Sequence, residues 1–226
     1  MAASKSMQFL FGDRELVINV QDLLTAPVEV IVSSSNTTLT HEGGVAGQIL
    51  QKAGSQVQSE SEQLIKEYGQ IDSGMAVYTN AGELPYKAVI HAVGPQMGEG
   101  DEQRMLETAI SRSLQLCEMN EWHSIAFPAI STGYSQVPLE ICSQAFFRSI
   151  TRFWDARHEC VLDKIILCLT EKNFQAFFDA FREEGINEAS VKTTGANDHT
   201  ESVGEIDLSN TDIASLDNGD IDDWFK

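Results

Sequence analysis

Positive charge is scarce in this 226-residue chain: 15 Lys and Arg stand against 34 Asp and Glu, a formal charge of −19. Contacts to the phosphates of DNA, RNA or an anionic membrane must be made by cations, so the balance opposes a nucleic-acid polymer or a membrane as partner. Long apolar runs are missing too. None approaches the ~20 residues that cross a bilayer, and residues 1–15 lack the uninterrupted apolar stretch of a signal peptide, so a cytoplasmic protein is expected. Cysteine is sparse: Cys117, Cys142, Cys160 and Cys168 form no C-x-x-C pair and lie near no histidine cluster. Neither a zinc site nor a disulfide framework is suggested, no metal or other cofactor is called for, and free thiols in a reducing compartment are expected.

What remains is ordinary in bulk and uneven in distribution. Hydrophobic residues make up 42% and charged residues 22%, the values of a globular chain with room for a core. The length predicts one domain with an appendage. From Ile186 to Lys226 ten acidic residues stand against two basic ones, Ser, Thr, Asn and Gly are frequent, and no apolar period survives. Residues 186–226 therefore read as an acidic disordered tail and residues 1–185 as the folded domain, itself at −11. The tail ends in Ile221-Asp222-Asp223-Trp224-Phe225, which is either a short docking peptide for an unknown protein or part of a solubilising tail.

Within residues 1–185, short runs rich in β-branched residues alternate with amphipathic stretches. Leu16–Val20, Val28–Ser33, Met75–Thr79, Ala88–Val93, Ser124–Phe127 and Lys164–Leu169 have the pattern of strands, several of them apolar throughout as in a buried sheet. Residues 102–119, 139–153 and 173–184 carry their apolar residues at helical spacing, among them Leu106, Ile110, Leu114, Phe146, Ile150, Phe177 and Phe181. The alternation predicts an α/β sandwich with helices on both faces of a largely parallel sheet.

Ligands of such sheets sit beyond the carboxyl ends of the strands, and two turns there can carry chemistry. The first runs from Ser34 to Gly47 and places Gly43 and Gly44 ahead of a helix beginning near Gln48. Glycines in that position let N–H groups approach a phosphate, though the same residues also make an ordinary tight turn. The second runs from Pro128 to Pro138 and contains Ser131-Thr132-Gly133, small residues with exposed amides and two hydroxyls. Two such loops on one edge suit a diphosphate held by amides and helix ends, because the cations are missing. A Walker lysine and a G-x-G-x-x-G spacing are both absent, which speaks against an ATPase and a dinucleotide dehydrogenase.

Over residues 15–184 the ordered motifs resemble a macrodomain, the family that binds ADP-ribose and in several branches hydrolyses it from proteins. Val20-Gln21-Asp22-Leu23-Leu24 resembles the family's G-D-I segment, Val30–Asn36 resembles V-I-V-N-A-A-N, and His41–Gly47 is similar to H-G-G-G-V-A-G. Ile90-His91-Ala92-Val93-Gly94-Pro95 and Pro128–Gly133 fit almost letter for letter. The resemblance implies a three-layer α/β/α fold around a mixed, largely parallel sheet. It assigns Asp22 and the Leu23 N–H to adenine. Gly43, Gly44, Val45, Ala46 and Gly47 would form one phosphate loop, and Ser131, Thr132, Gly133 and Tyr134 the other. Asn36 would orient the distal ribose, the one tentative catalytic residue. Alone, Asp22 also reads as a turn or cap residue and Asn36 as a turn residue.

Several positions depart from the family pattern. Ser33 replaces the first Asn, and Glu42 replaces the first Gly of the triple, where a carboxylate would repel a phosphate ligand. Ala46 stands where many hydrolases of the family have an Asp proposed to activate water. Ser135 occupies the position of an aromatic residue near the distal ribose, so the ring is either displaced to Tyr134 or absent. Leu169 stands where an aromatic commonly stacks on adenine, leaving apolar cover without a π face. His91, mid-strand, reads as a core histidine, and His41 as a loop residue flanking the pocket. The implied partner is ADP-ribose or an ADP-ribosylated protein. A reader, a mono-ADP-ribosyl hydrolase, an O-acetyl-ADP-ribose deacetylase and a degenerate interaction module all remain open.

Overall fold

The computed structural model describes residues 5–157, 159–185, 191–192 and 205–207. The chain begins with a hairpin, β1 (Ser6–Phe11) and β2 (Arg14–Val20), closed by the two-residue loop Gly12-Asp13. Gly12 supplies the positive φ, +70°, that so short a turn demands. A 3-10 helix (Leu23–Thr25) leads to β3 (Val30–Ser35), α1 (Gly44–Ala53), α2 (Ser55–Tyr68), β4 (Ala76–Thr79) and β5 (Ala88–Val93). Then come α3 (Glu102–Met119), β6 (Ser124–Phe127), α4 (Leu139–Asp155), β7 (Lys164–Leu169) and α5 (Glu171–Gly185).

The sheet order is β4-β5-β3-β6-β7-β2-β1. The five inner strands, β5, β3, β6, β7 and β2, run parallel, while β4 and β1 close the two sides antiparallel. Strand periodicity then sorts the core into two layers. Ile31, Val89, Ala126, Ile166 and Cys168 face Ile49 and Ala53 of α1 and Val57 of α2. Val30, Val32, Ile90, Ile125, Phe127, Ile165, Leu167 and Leu169 face the other way, against α3, α4 and α5. The result is the expected three-layer α/β/α sandwich, with a mixed sheet.

Three differences from the sequence reading have local causes. Strand β1 buries only Met7 and Phe9, too short an alternation to stand out. Helix α2 is mostly Gln, Ser and Glu, with Val57 fully buried and Leu64 and Ile65 packed beside Leu39, Ile71 and Val93. Strand β3 lies two residues later than expected because Ser33 and Ser35, polar by type, are buried in it.

Within the segment expected to be a disordered tail, two short strands are described, β8 (Val191–Lys192) and β9 (Glu205–Asp207). β9 pairs parallel with β1, Phe9 opposite Ile206, and covers an edge that would otherwise stand open. The rest of 186–226, including the Trp224-Phe225 pair, lies outside the described residues. No helix among the described residues is long and apolar enough to cross a membrane.

Phe127 is fully buried and meets the ring of Phe146 edge-on at 5.3 Å. Phe127→Ala is expected to cost about 3–5 kcal/mol of unfolding free energy in urea titrations, and a loss near zero would contradict this account of the core.

Candidate functional site

Because the five inner strands are parallel, their carboxyl ends share one edge of the sheet. The chain leaves β3 for α1 on one face and leaves β6 for α4 on the other, so a crevice opens between these strands, the place where open α/β sheets take ligands. Asp22, Asn36, Gly43–Gly47, Gly94, Ser131–Ser135 and Leu169 all lie on or just beyond this edge.

The glycine turn is built around two backbone requirements. Gly43 is extended and Gly44 has φ +58°, and a Cβ at either would meet nothing within 4 Å, so the space outside the turn is open. The first α1 bond is donated by Gly47 N–H to the Gly43 carbonyl at 3.0 Å. The N–H groups of Gly44, Val45 and Ala46 precede it and have no acceptor inside the helix, at the end where the helix dipole is positive. The methyl of Ala46 is buried.

The second loop is held from within. Ser131 has φ +61°, its N–H donates to Ser34 Oγ at 3.3 Å, and its carbonyl accepts from Val137 N–H at 3.0 Å. Thr132 Oγ1 donates to the Ala129 carbonyl at 2.9 Å, so that hydroxyl is already engaged. The N–H groups of Thr132, Gly133 and Tyr134 have no acceptor among the described residues. The loop after β5 braces this one: a Cβ at Gly94 would stand 2.1 Å from Ser131 Oγ and 2.7 Å from Ile130 Cγ2.

At the β2 end, Asp22 caps the 3-10 helix through Oδ1, which accepts from Leu24 N–H at 3.0 Å, while Oδ2 lies 4.0 Å from Lys52 Nζ in half-exposed surroundings. Leu23 is buried, and its carbonyl accepts from Tyr86 Oη at 3.3 Å.

Other expected residues sit differently. Asn36 is exposed with both ends of its amide in use: Nδ2 donates to Thr40 Oγ1 at 2.6 Å, and Oδ1 accepts from Thr40 N–H at 2.9 Å and Thr38 Oγ1 at 3.2 Å. Tyr134 is 97% exposed, its ring packed on nothing, and Ser135 is half-buried. Leu169 does not offer the expected apolar cover, because strand alternation turns it into the α3–α5 layer, 3% exposed. Its neighbour Cys168 faces the Leu23 side instead and accepts from Gln21 Nε2 at 3.1 Å, with burial pushing its thiol up to about 11. Counting alternate residues along β7 would have found this.

Comparison with known proteins agrees with the architecture. Residues 32–146 match the family model described as "Macro domain", half of the chain. This protein belongs to the macro domain family. The chain is 39% identical over 153 residues to a Klebsiella pneumoniae protein named O-acetyl-ADP-ribose deacetylase, spanning 67% of this chain and 87% of that one. It is 34% identical over 172 residues to the human protein mono-ADP-ribosyltransferase PARP14, covering 74% of this chain but only 10% of that protein's length. A solved Oceanobacillus iheyensis macrodomain with ADP superposes with a TM-score of 0.75 at 24% identity, over 80% of this chain and 97% of that one.

Beneath the crevice of this macro domain lies a buried pair of histidines. His91 is fully enclosed, with Nε2 3.0 Å from Thr79 Oγ1 and Nδ1 3.4 Å from Ser35 Oγ. Thr79 Oγ1 also lies 3.0 Å from the Asn80 carbonyl, and Ser35 Oγ lies 3.2 Å from Ser33 Oγ. His41, in the loop ahead of the glycine turn, is enclosed: it is 7% exposed, with Nε2 3.0 Å from Ser61 Oγ of α2 and its ring 5.2 Å from that of His91. Ser61 donates to the Val57 carbonyl and so accepts from His41. Each ring thus meets a buried hydroxyl through Nε2. Burial, with the neighbouring His41 adding to it, drives His91 from the usual 6.5 down to about 3, and burial lowers His41 as well.

A depressed histidine has a definite sign in the stability profile. Below pH 6.5 the unfolded chain binds protons that folded His91 refuses until about pH 3, so its contribution is intact above that window and lost as pH falls through it. Urea unfolding between pH 6.5 and about 5 is expected to show stability falling by up to ~1.4 kcal/mol per pH unit for each such histidine. His91→Gln should flatten part of that slope, and an unchanged slope in the variant would refute the assignment.

Proposed function

We propose that this macro domain binds ADP-ribose, free or attached to a protein side chain. The observation that carries the reading is the pair of neighbouring loops whose N–H groups, at Gly44–Ala46 and Thr132–Tyr134, have no acceptor within their own turns in a chain of charge −19. A diphosphate needs several donors and a positive potential, and a helix amino terminus beside a ring of turn amides supplies both without a lysine or arginine. Asp22 Oδ2, left over from the cap, accepts from the adenine amino group, and the Leu23 N–H donates to the ring. The adenine then lies toward β2 and the distal ribose toward β3 and β5. The names of the relatives, which process or attach ADP-ribosyl groups, support this choice of ligand.

Binding without turnover is the favoured form of the reading. Ala46 brings no carboxylate base, and the Asn36 amide is held by Thr38 and Thr40, which leaves one Nδ2 proton to orient a ribose hydroxyl and no group there that accepts a proton from water. Deacetylation of O-acetyl-ADP-ribose is the second reading, favoured by the 39% identity to the Klebsiella protein. Three thiols held well above their ordinary pKa by burial, Cys117, Cys142 and Cys168, suit the reducing cytoplasm assigned from the sequence.

Calorimetry with ADP-ribose checks the binding. Asp22→Ala is expected to weaken it about tenfold or more, the worth of one hydrogen bond to a charged group. Gly94→Ala should weaken it too, because the added methyl must push Ser131 aside. Equal affinity of wild type and Asp22→Ala would overturn the reading. For turnover, release of ADP-ribose from a glutamate-modified protein, or of acetate from O-acetyl-ADP-ribose, is expected to be no faster with wild type than with Asn36→Ala. Faster release by the wild type would make the protein an enzyme.

A further inference from the structure

Five large apolar side chains stand exposed among the described residues: Tyr68, Tyr78, Met97, Met119 and Tyr134. Single exposed residues of this kind need no explanation. Met97 and Tyr134 are different, because they come from separate loops on the carboxyl edge and the backbone ties those loops together. Met97 N–H donates to the Ser135 carbonyl at 2.8 Å, and Gly94, three residues earlier, touches Ser131. Met97 is 55% exposed and Tyr134 97%.

The surroundings of this pair are acidic. Residues 96–104 contain Glu99, Asp101 and Glu102 against Arg104, whose Nη1 lies 3.9 Å from Asp101 Oδ2. Glu99 accepts from Gln96 N–H at 2.9 Å, and Glu102 from Gly98 N–H at 2.7 Å and Gly100 N–H at 3.2 Å. The loop thus places its carboxylates at the surface, beside two apolar side chains that no internal packing uses. An anionic partner is excluded there, and a basic one is attracted.

Position in the sheet says which basic partner. Strand β3, whose loop holds Asn36, lies between β5 and β6, the strands whose loops carry Met97 and Tyr134. Asp22 lies three strands from β3, at the end of β2. Anything joined to the distal ribose therefore emerges beside the pair, while the adenine points away from it. We infer that Met97 and Tyr134 are the docking surface for the polypeptide that carries the ADP-ribosyl group, and that the preferred carrier places an apolar side chain flanked by Lys or Arg next to the modified residue. This rests on the ADP-ribose reading above and sets its substrate class as protein-attached rather than free.

The test uses the full chain and three probes: ADP-ribose alone, and two peptides mono-ADP-ribosylated on one glutamate. One peptide has leucine and lysine beside the modified residue, the other serine and aspartate. Wild type is expected to bind the leucine-lysine peptide at least about fivefold tighter than either other probe, the worth of one well-buried interface side chain. Met97→Ser should remove that preference and leave the affinity for ADP-ribose unchanged. Tyr134→Ser should lower the ratio of peptide to ADP-ribose affinity. Equal affinity for the two peptides, with ADP-ribose still bound, would overturn the docking surface alone, as would a wild-type dimer that Met97→Ser dissociates. Failure to bind ADP-ribose at all would instead overturn the reading beneath it and the inference with it.

Discussion

The site depends on backbone amides that the fold leaves without partners. A helix must begin with N–H groups that its own turns cannot satisfy, and a tight turn after a strand must aim its amides outward. In a chain with a surplus of carboxylates these amides are the positive potential at the crevice, and the parallel sheet brings two sets of them to one edge. Side chains there have mainly supporting parts. Ser34 accepts from Ser131 N–H, Thr132 closes its own turn, and the missing side chain of Gly94 lets the β5 and β6 loops touch. The crevice is shaped by what has been left off the backbone as much as by what is attached to it.

Beneath this layer the protein spends polar residues in its interior. Ser33, Ser35, Ser61, Thr79, His41 and His91 are all buried, with donors and acceptors matched through the two rings and their hydroxyl partners. Such a network costs less than unpaired groups would, and it fixes relative position: Ser61 ties α2 to the turn that precedes α1, and Thr79 ties β4 to β5. The floor of the glycine turn is thereby joined to two neighbouring elements by directional bonds.

Much of this was legible in the sequence, for reasons that differ from residue to residue. The inner strands announced themselves because both their faces are covered, which makes them apolar throughout, and helices α3, α4 and α5 because each buries a stripe of large residues. The glycine and Ser-Thr-Gly turns were legible because few residue types allow such backbone. Elements with little to bury were harder: β1 hides two side chains and α2 is mostly polar. Leu169 was misjudged because a motif position says nothing about which face of a strand it occupies. The enclosure of His41 was not legible because α2, the helix that covers it, is mostly polar.

The pairing of β9 with β1 fixes how far the edge cover lies from the crevice. The sheet runs β3-β6-β7-β2-β1-β9, so β9 stands five strand spacings from the glycine turn's own strand, roughly 24 Å at ~4.8 Å per step. Asp207 thus stands on the far flank of the sandwich, nearer to the end of β2 that carries Asp22 than to the glycine turn, so the strand that shields the open edge is kept clear of the crevice.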